Sequence, residues 1–294
     1  MKLSTFIYNG LETSGVEVNG TYYTFYNLLG GSLQYNMLDF IRDYETEQLP
    51  DFGSVVEHGA GLIPISANEL VLEAPIPRPF RNIICVGKNY ADHAQEVQET
   101  IQTGAGLIPN APIYFTKTAL PAMGDKKTIP LHSALTQQVD YEVELGVVIG
   151  KIACKISREQ AESVIFGYTI INDITARDLQ QKHDQWFYGK SLDGFCAIGP
   201  HIVTRDEIPF PVALDITCRV NGEIRQQSNT SKLIFDIPRL ISELSQGITL
   251  YPGDIIATGT PAGIGHAMMP PQYLKGGDVV ECEIEGIGVL TNYF

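Results

Sequence analysis

The chain has 294 residues, 44% of them hydrophobic and 18% charged, which is enough apolar material for one large core, or for a core with a smaller attachment, and speaks against a disordered polymer. Its formal net charge of −14 argues against nucleic acid or an anionic membrane surface as partner, because both reward clustered Lys and Arg. The five cysteines are scattered, odd in number and without a Cys-x-x-Cys pair, so neither a disulfide framework nor a zinc knuckle is expected. No charged N-terminal region leads into an apolar stretch, and no run reaches about 18 apolar residues, so the expected place is the cytoplasm.

Residues 1–74 carry short alternating runs such as Thr21 to Tyr26 and a helix-like Met37 to Tyr44, and read as a small N-terminal α+β domain. Pro75, Pro77 and Pro79 alternate through an extended connector, because proline disfavours helix and supplies no ladder donor; a second domain of residues 75–294 follows. Strand candidates dominate it: Ile83 to Val86, Ile113 to Thr116, Tyr141 to Ile149, Phe166 to Asn172, Ala213 to Val220, Asp254 to Ala257, Val279 to Ile284 and Ile287 to Asn292. Helices are expected where Ser157 and Gln160 form a capping box, over Thr175 to His183, and from Pro238 to Gly247. Asn221-Gly222 signals a two-residue hairpin, and the Gly/Pro-rich stretch Thr100 to Pro112 reads as a mobile loop suited to a lid. The fold class is therefore α+β and mainly β.

From Val139 to Gly150 three acids alternate with apolar residues, so a strand sets Asp140, Glu142 and Glu144 on one face and Val139, Tyr141, Val143, Leu145 and Val147 on the other. Burying such carboxylates needs compensating donors or a cation; the same pattern also suits a half-exposed strand whose acidic face meets water. Phe166 to Asn172 is a second strand pattern, ending at Asp173 with Thr175 placed to cap a helix, and Asp173 joins Glu142 and Glu144 as a third oxygen donor. An all-oxygen set suits Mg²⁺ or Mn²⁺ and leaves positions for substrate and water. In Cys85 to Glu96 a strand turns at Gly87 into a helix that puts His93 and Glu96 one turn apart, as a base with its orienting carboxylate or as an ordinary surface pair. Arg177 and Gln180 share a helix side near Asp173, to hold a carboxylate or to meet solvent. Lys190, in an expected loop after Gly189, and Lys117, at a strand end, are either oxyanion partners or solvated lysines. The Gly-rich turn Thr258 to Gly265 lets backbone N–H groups and the Thr260 hydroxyl approach a carboxylate; it lacks both the Walker and the dinucleotide spacing.

Taken together, the runs GKNYADH, YEVELGVVIG, NDITARDLQ, GKSLDG, VNGEIRQ and GDIIATGTPAGIG, spread over residues 80–294, resemble the fumarylacetoacetate hydrolase family. The resemblance implies a mixed β-roll core, a homodimer, and a Mg²⁺ or Mn²⁺ ion on Glu142, Glu144 and Asp173. It also implies a catalytic set of His93, Glu96 and Lys190, and substrate contacts from Lys88, Lys117, Arg177, Gln180 and Thr260. The expected substrate is a small anionic 2-oxo acid, cleaved between carbons as an acylpyruvate or as oxaloacetate through a metal-stabilised pyruvate enolate. An isomerase or tautomerase of 2-oxo/2-hydroxy-dienoate dicarboxylates using that enolate, and a non-catalytic metal-bound sensor, are the alternatives.

Overall fold

The computed structural model describes residues 1–31, 35–44, 52–58, 61–101 and 108–294. The first strands are β1 (Lys2–Tyr8), β2 (Leu11–Val18), β3 (Thr21–Thr24), β4 (Ile65–Ser66), β5 (Leu70–Leu72), β6 (Ile83–Gly87), β7 (Ile113–Lys117), β8 (Lys127–Thr128) and β9 (Val139–Asp140). After them come β10 (Val143–Ile149), β11 (Ile165–Asp173), β12 (Thr175–Ala176), β13 (Cys196–Thr204), β14 (Asp215–Val220), β15 (Glu223–Asn229), β16 (Ile255–Ala257), β17 (Val279–Ile284) and β18 (Gly288–Tyr293). The α-helices are α1 (Phe25–Leu28), α2 (Met37–Asp43), α3 (Phe52–His58), α4 (Ala91–Ile101), α5 (Ala161–Val164), α6 (Arg177–Lys182), α7 (Phe187–Lys190) and α8 (Ile237–Ser245). The architecture is α+β and rich in sheet, as expected.

An eleven-stranded sheet runs β4-β3-β2-β1-β13-β11-β10-β16-β6-β7, with β5 also on β1; β16 and β6 pair in parallel and the other pairs are antiparallel. A second sheet, β15-β14-β17-β18-β8, packs across it, β14 over β10, β17 over β11 and β18 over β13. Leu145, Val147 and Ile149 of β10 meet Ile216, Cys218, Val280 and Cys282 between the layers. The opposite face, through Val148, Phe166, Ile171 and Ile255, is covered by Phe25, Met37, Phe40 and Phe52 of the N-terminal helices. Every residue of β10 is therefore buried, which removes the reading of a half-exposed acidic strand. Residues 1–74 supply β1 to β5 and α1 to α3, and β1 hydrogen-bonds β13, so the main sheet continues into this segment.

Several local signals act as expected. Asn221 and Gly222 both adopt positive φ, 53° and 80°, which the two-residue turn between β14 and β15 requires. The Ser157–Gln160 capping box forms, and α8 starts on an Asp236 cap whose side chain accepts the Arg239 N–H. Others depart. The run from Tyr141 to Ile149 is not one strand: β9 and β10 are separated at Tyr141 and Glu142, where the Asn172 side-chain oxygen takes the Glu142 N–H in place of a ladder carbonyl. Thr175 does not cap α6; it lies in β12, its hydroxyl donates to the Asp173 carbonyl, and Ala176 is the cap residue. Part of the expected lid, residues 102–107, lies outside the described residues.

Candidate active site

Four elements deliver the site. Glu142, in the break just before β10, and Glu144, near the start of β10, meet Asp173 at the end of the antiparallel β11, with the Asp173 N–H donating to the Glu142 carbonyl at 2.8 Å. The parallel ends of β6 and β16 lead into Lys88, Asn89 and α4 on one side and into the Gly-rich turn on the other. Glu142, Glu144 and Asp173 are buried, and each offers an oxygen within 4.8 Å of the others.

Three buried cations meet this acidic set. Lys190 bridges Glu142 Oε2 and Asp173 Oδ2, each at 2.7 Å. It sits at the end of the short helix α7, not in a loop. Arg177 reaches Glu142 Oε1 at 2.7 Å and Asp140 Oδ2 at 2.8 Å. Lys117 pairs with Asp173 and donates to the carbonyls of Ile174 and Phe195. Burial alone would raise the Glu142 carboxyl, but Lys190 and Arg177 outweigh it and hold the pKa down at about 2. Glu144 is the opposite case. Among the described residues it accepts from the Gly259 N–H at 2.8 Å and has no ion pair. Burial, with Asp173 and Glu142 beside it, pushes its pKa well above the usual carboxylate range. A buried, all-oxygen cluster with one carboxylate left uncompensated fits a hard divalent cation, and Glu142, Glu144 and Asp173 are the residues that would hold it.

A cavity of about 370 Å³ opens on this cluster. His93, Lys88, Arg177, Gln180, Lys190 and Thr260 line it with Glu142 and Glu144, so of the expected site residues these share one space. His93 Nδ1 lies 3.2 Å from Glu96 Oε2, which fixes the ring and leaves its other nitrogen for the cavity. Gln180 Oε1 accepts from Arg177 Nη1 at 3.1 Å, so the pair forms one unit. Glu96, Asp173 and Lys117 stand behind the wall, and Lys117 is the expected substrate contact among them. It is 0% exposed and does not line the cavity, so the expected substrate contact is instead an internal support of Asp173.

The Gly-rich turn also works differently from the expectation. Its N–H groups serve the protein's own carboxylates: Gly259 donates to Glu144, Gly263 to Glu96 and Gly265 to Asp140, all at 2.8 Å. At Gly263, with φ +106°, a Cβ would stand 1.9 Å from the Arg225 carbonyl, so only glycine allows this approach. One turn thereby aligns an acidic ligand, the partner of His93 and the partner of Arg177.

Sequence reasoning missed two supports. Asp140 is wholly buried and accepts from Arg177 Nε, from the N–H groups of Gly265 and His266, and from Tyr141 N. Gln226, wholly buried on β15, donates to Thr260 Oγ1 at 2.7 Å and to the Pro261 carbonyl, and accepts the Val143 N–H at 3.0 Å. A polar residue within a polar strand gives no signal of such burial; for Asp140 the signal was the shared face with Glu142 and Glu144.

Comparison with known proteins finds similar chains and similar folds. The family model for the C-terminal part of fumarylacetoacetate hydrolase matches residues 82–294. The oxaloacetate tautomerase YisK of Bacillus subtilis is 47% identical over 245 residues, covering 83% of this chain and 80% of that protein. A fumarylacetoacetate hydrolase from Exiguobacterium antarcticum superposes with TM-score 0.83 at 42% identity, over 100% of this chain and 98% of the other. Maleylpyruvate hydrolase from Sphingobium sp. SYK-6, in complex with manganese(II) and pyruvate, superposes with TM-score 0.78 at 30% identity, over 100% and 98%.

Proposed function

The chain belongs to the fumarylacetoacetate hydrolase family, and we propose that it is a Mg²⁺- or Mn²⁺-dependent enzyme that moves a proton at C3 of a small 2-oxo acid, interconverting keto and enol forms of an oxaloacetate-type substrate. The observation that carries this reading is the shared cavity, where a fixed His93–Glu96 pair faces the same space as the three-carboxylate cluster. A relative at 47% identity is named an oxaloacetate tautomerase.

When bound, the divalent ion supplies a Lewis acid toward the 2-oxo group. The chain's residues do the rest. Arg177, on the cavity wall, binds the 1-carboxylate; its Nη2 is buried and has no hydrogen-bond partner among the described residues, so it has donors to give. His93, held through Nδ1 by Glu96, takes the C3 proton on Nε2 and returns it to the 2-oxygen or to carbon. The Lys190 ammonium lies beside the growing negative charge on the 2-oxygen. Burial of Glu142, Asp173 and Lys190 keeps water from screening these charges.

Cleavage of C3–C4 is the second reading, favoured by the hydrolase relative bound to pyruvate. There His93 would deprotonate water for attack at a C4 ketone, or a C4 carboxylate would leave as carbon dioxide. One assay separates the two. Metal-loaded protein given the enol of oxaloacetate should discharge the enol absorbance without releasing pyruvate. His93→Ala should slow this by roughly 10²-fold or more, and Glu144→Gln or a chelator should abolish it. Stoichiometric pyruvate would favour cleavage, and inertness toward oxaloacetate and acylpyruvates with both metals would refute the assignment.

A further inference from the structure

We propose that Lys88 recognises a second carboxylate at the far end of the substrate, so that the site selects 2-oxo dicarboxylates over 2-oxo acids with a neutral far end. This rests on the reading of the cavity as a 2-oxo acid site.

The charges around the cavity single Lys88 out. Of the Lys and Arg residues that line it, Lys190 is committed to Glu142 and Asp173, and Arg177 to Asp140 and Glu142. Lys88 has no hydrogen bond or ion pair among the described residues. The histidines do not compete. His93 is tied to Glu96, while His266 has Gln181 on one ring nitrogen and Tyr273 on the other, each at 2.8 Å. His183 is exposed, its ring edge against Tyr188. Lys190 and Arg177 are thus spent on the chain's own carboxylates, while Lys88 is a lining cation with no ion pair among the described residues.

That cation is placed, not loose. The Lys88 backbone has φ +54°, a conformation that side-chain-bearing residues rarely adopt. Its neighbours hold it there. Asn89 is wholly buried, with Nδ2 donating to the carbonyls of Phe235 and Thr258 and Oδ1 accepting the Phe235 N–H at 2.8 Å. On the other side, a Cβ at Gly87 would stand 2.3 Å from Trp186, so the indole locks the preceding turn. Lys88 itself is half-buried and lines the cavity.

The chemistry then chooses the ligand. A substrate's 1-carboxylate and 2-oxo group occupy the Arg177 and carboxylate-cluster end. The remaining lining includes Phe115, Trp186, Val97 and Ile264, which cannot pair a negative charge. Among the described lining residues, Lys88 is the lysine or arginine left for a far carboxylate, and a neutral acyl end would leave it unpaired. A lysine suits the task because a compact ammonium on a flexible stem can follow the carboxylate as C3 changes between tetrahedral and planar.

The test uses Lys88→Met, which keeps the stem and removes the charge, and Lys88→Asn, whose side chain tolerates positive φ. Trp186 is the chain's one tryptophan and lines the cavity, so its emission reports ligand binding. Oxalate, which has no far group, should quench metal-loaded wild type and both variants with midpoints within about twofold, since it lacks the charge-assisted contact. The KM for oxaloacetate should rise about tenfold or more in both variants, the scale of a lost bond between charged groups, while that for acetylpyruvate stays put. Equal effects on oxaloacetate and acetylpyruvate, or none, would overturn the assignment of Lys88 alone. If wild type loaded with either metal failed to bind oxalate, the reading of the cavity would fall first.

Discussion

Lys117→Met tests whether the buried lysine supports the site or touches substrate. The wild-type ammonium is fully enclosed, paired with Asp173 and bonded to the carbonyls of Ile174 (3.1 Å) and Phe195 (2.5 Å). Methionine keeps the shape and leaves Asp173 with Lys190 as its remaining cation. Breaking a buried pair from one side costs about 3–5 kcal/mol, because the orphaned charge stays behind. With unfolding entropy near 2.1 cal/mol/K per residue, a chain of 294 residues loses about 0.6 kcal/mol of stability per degree near Tm. The expected drop is therefore about 5–8 °C. Scanning calorimetry on chelator-treated protein at pH 7 reads it without any ion in place of the lost charge. A Tm within about 2 °C of wild type, together with a raised KM, would refute the supporting role and return Lys117 to the substrate.

Three further outcomes follow from the same geometry. Burial lowers the His201 pKa to about 4, and the Ser4 hydroxyl lies 2.7 Å from its Nδ1. Because the unfolded imidazole protonates near 6.5 and the folded one does not, stability should fall as pH drops from about 6.5 through about 4, then level off. Denaturant titrations of His201→Gln should lose that slope; an unchanged slope would assign the acid sensitivity elsewhere. In Gly87→Ala the new methyl meets Trp186 at 2.3 Å, so the emission spectrum should shift and stability should drop by about 1–3 kcal/mol. An unaltered spectrum would count against the packing described. Asp140→Asn and Arg177→Met should each destabilise, and the double variant should cost at least about 1 kcal/mol less than their sum, since the two groups answer each other. Strict additivity in urea melts would show that they do not.

The legible parts of the sequence were those where local chemistry decides structure. Period-two alternation put Glu142 and Glu144 on one side, a strand followed by a break placed Asp173 at its end, and Asn221-Gly222 fixed a hairpin. Strand β13 gave no such signal, because Gly199 and Pro200 interrupt its apolar run; the ladder with β11 absorbs them through a register shift between Tyr168 and Ile170. The roles of Lys117 and Lys190 depend on which carboxylates lie opposite, and those come from segments up to 56 residues away, as with Lys117 and Asp173. Local sequence could rank lysines as candidates but could not tell an enclosed ion pair from an unpaired cation on a wall. The Gly-rich turn shows the same limit: its small residues were evident, while the acceptors of its N–H groups lie on β9, β10 and α4.

The seam between β1 and β13, where Lys2 and Leu3 face Val203 and Ile202, has a consequence for any shortened version of this chain. Cutting away the first strands would strip hydrogen-bond partners from the far stretch of β13, whose other neighbour, β11, carries Asp173. A bare flank of that kind is a template for a foreign strand. A truncated protein should therefore polymerise edge to edge unless a proline, a lysine or a second subunit shields it.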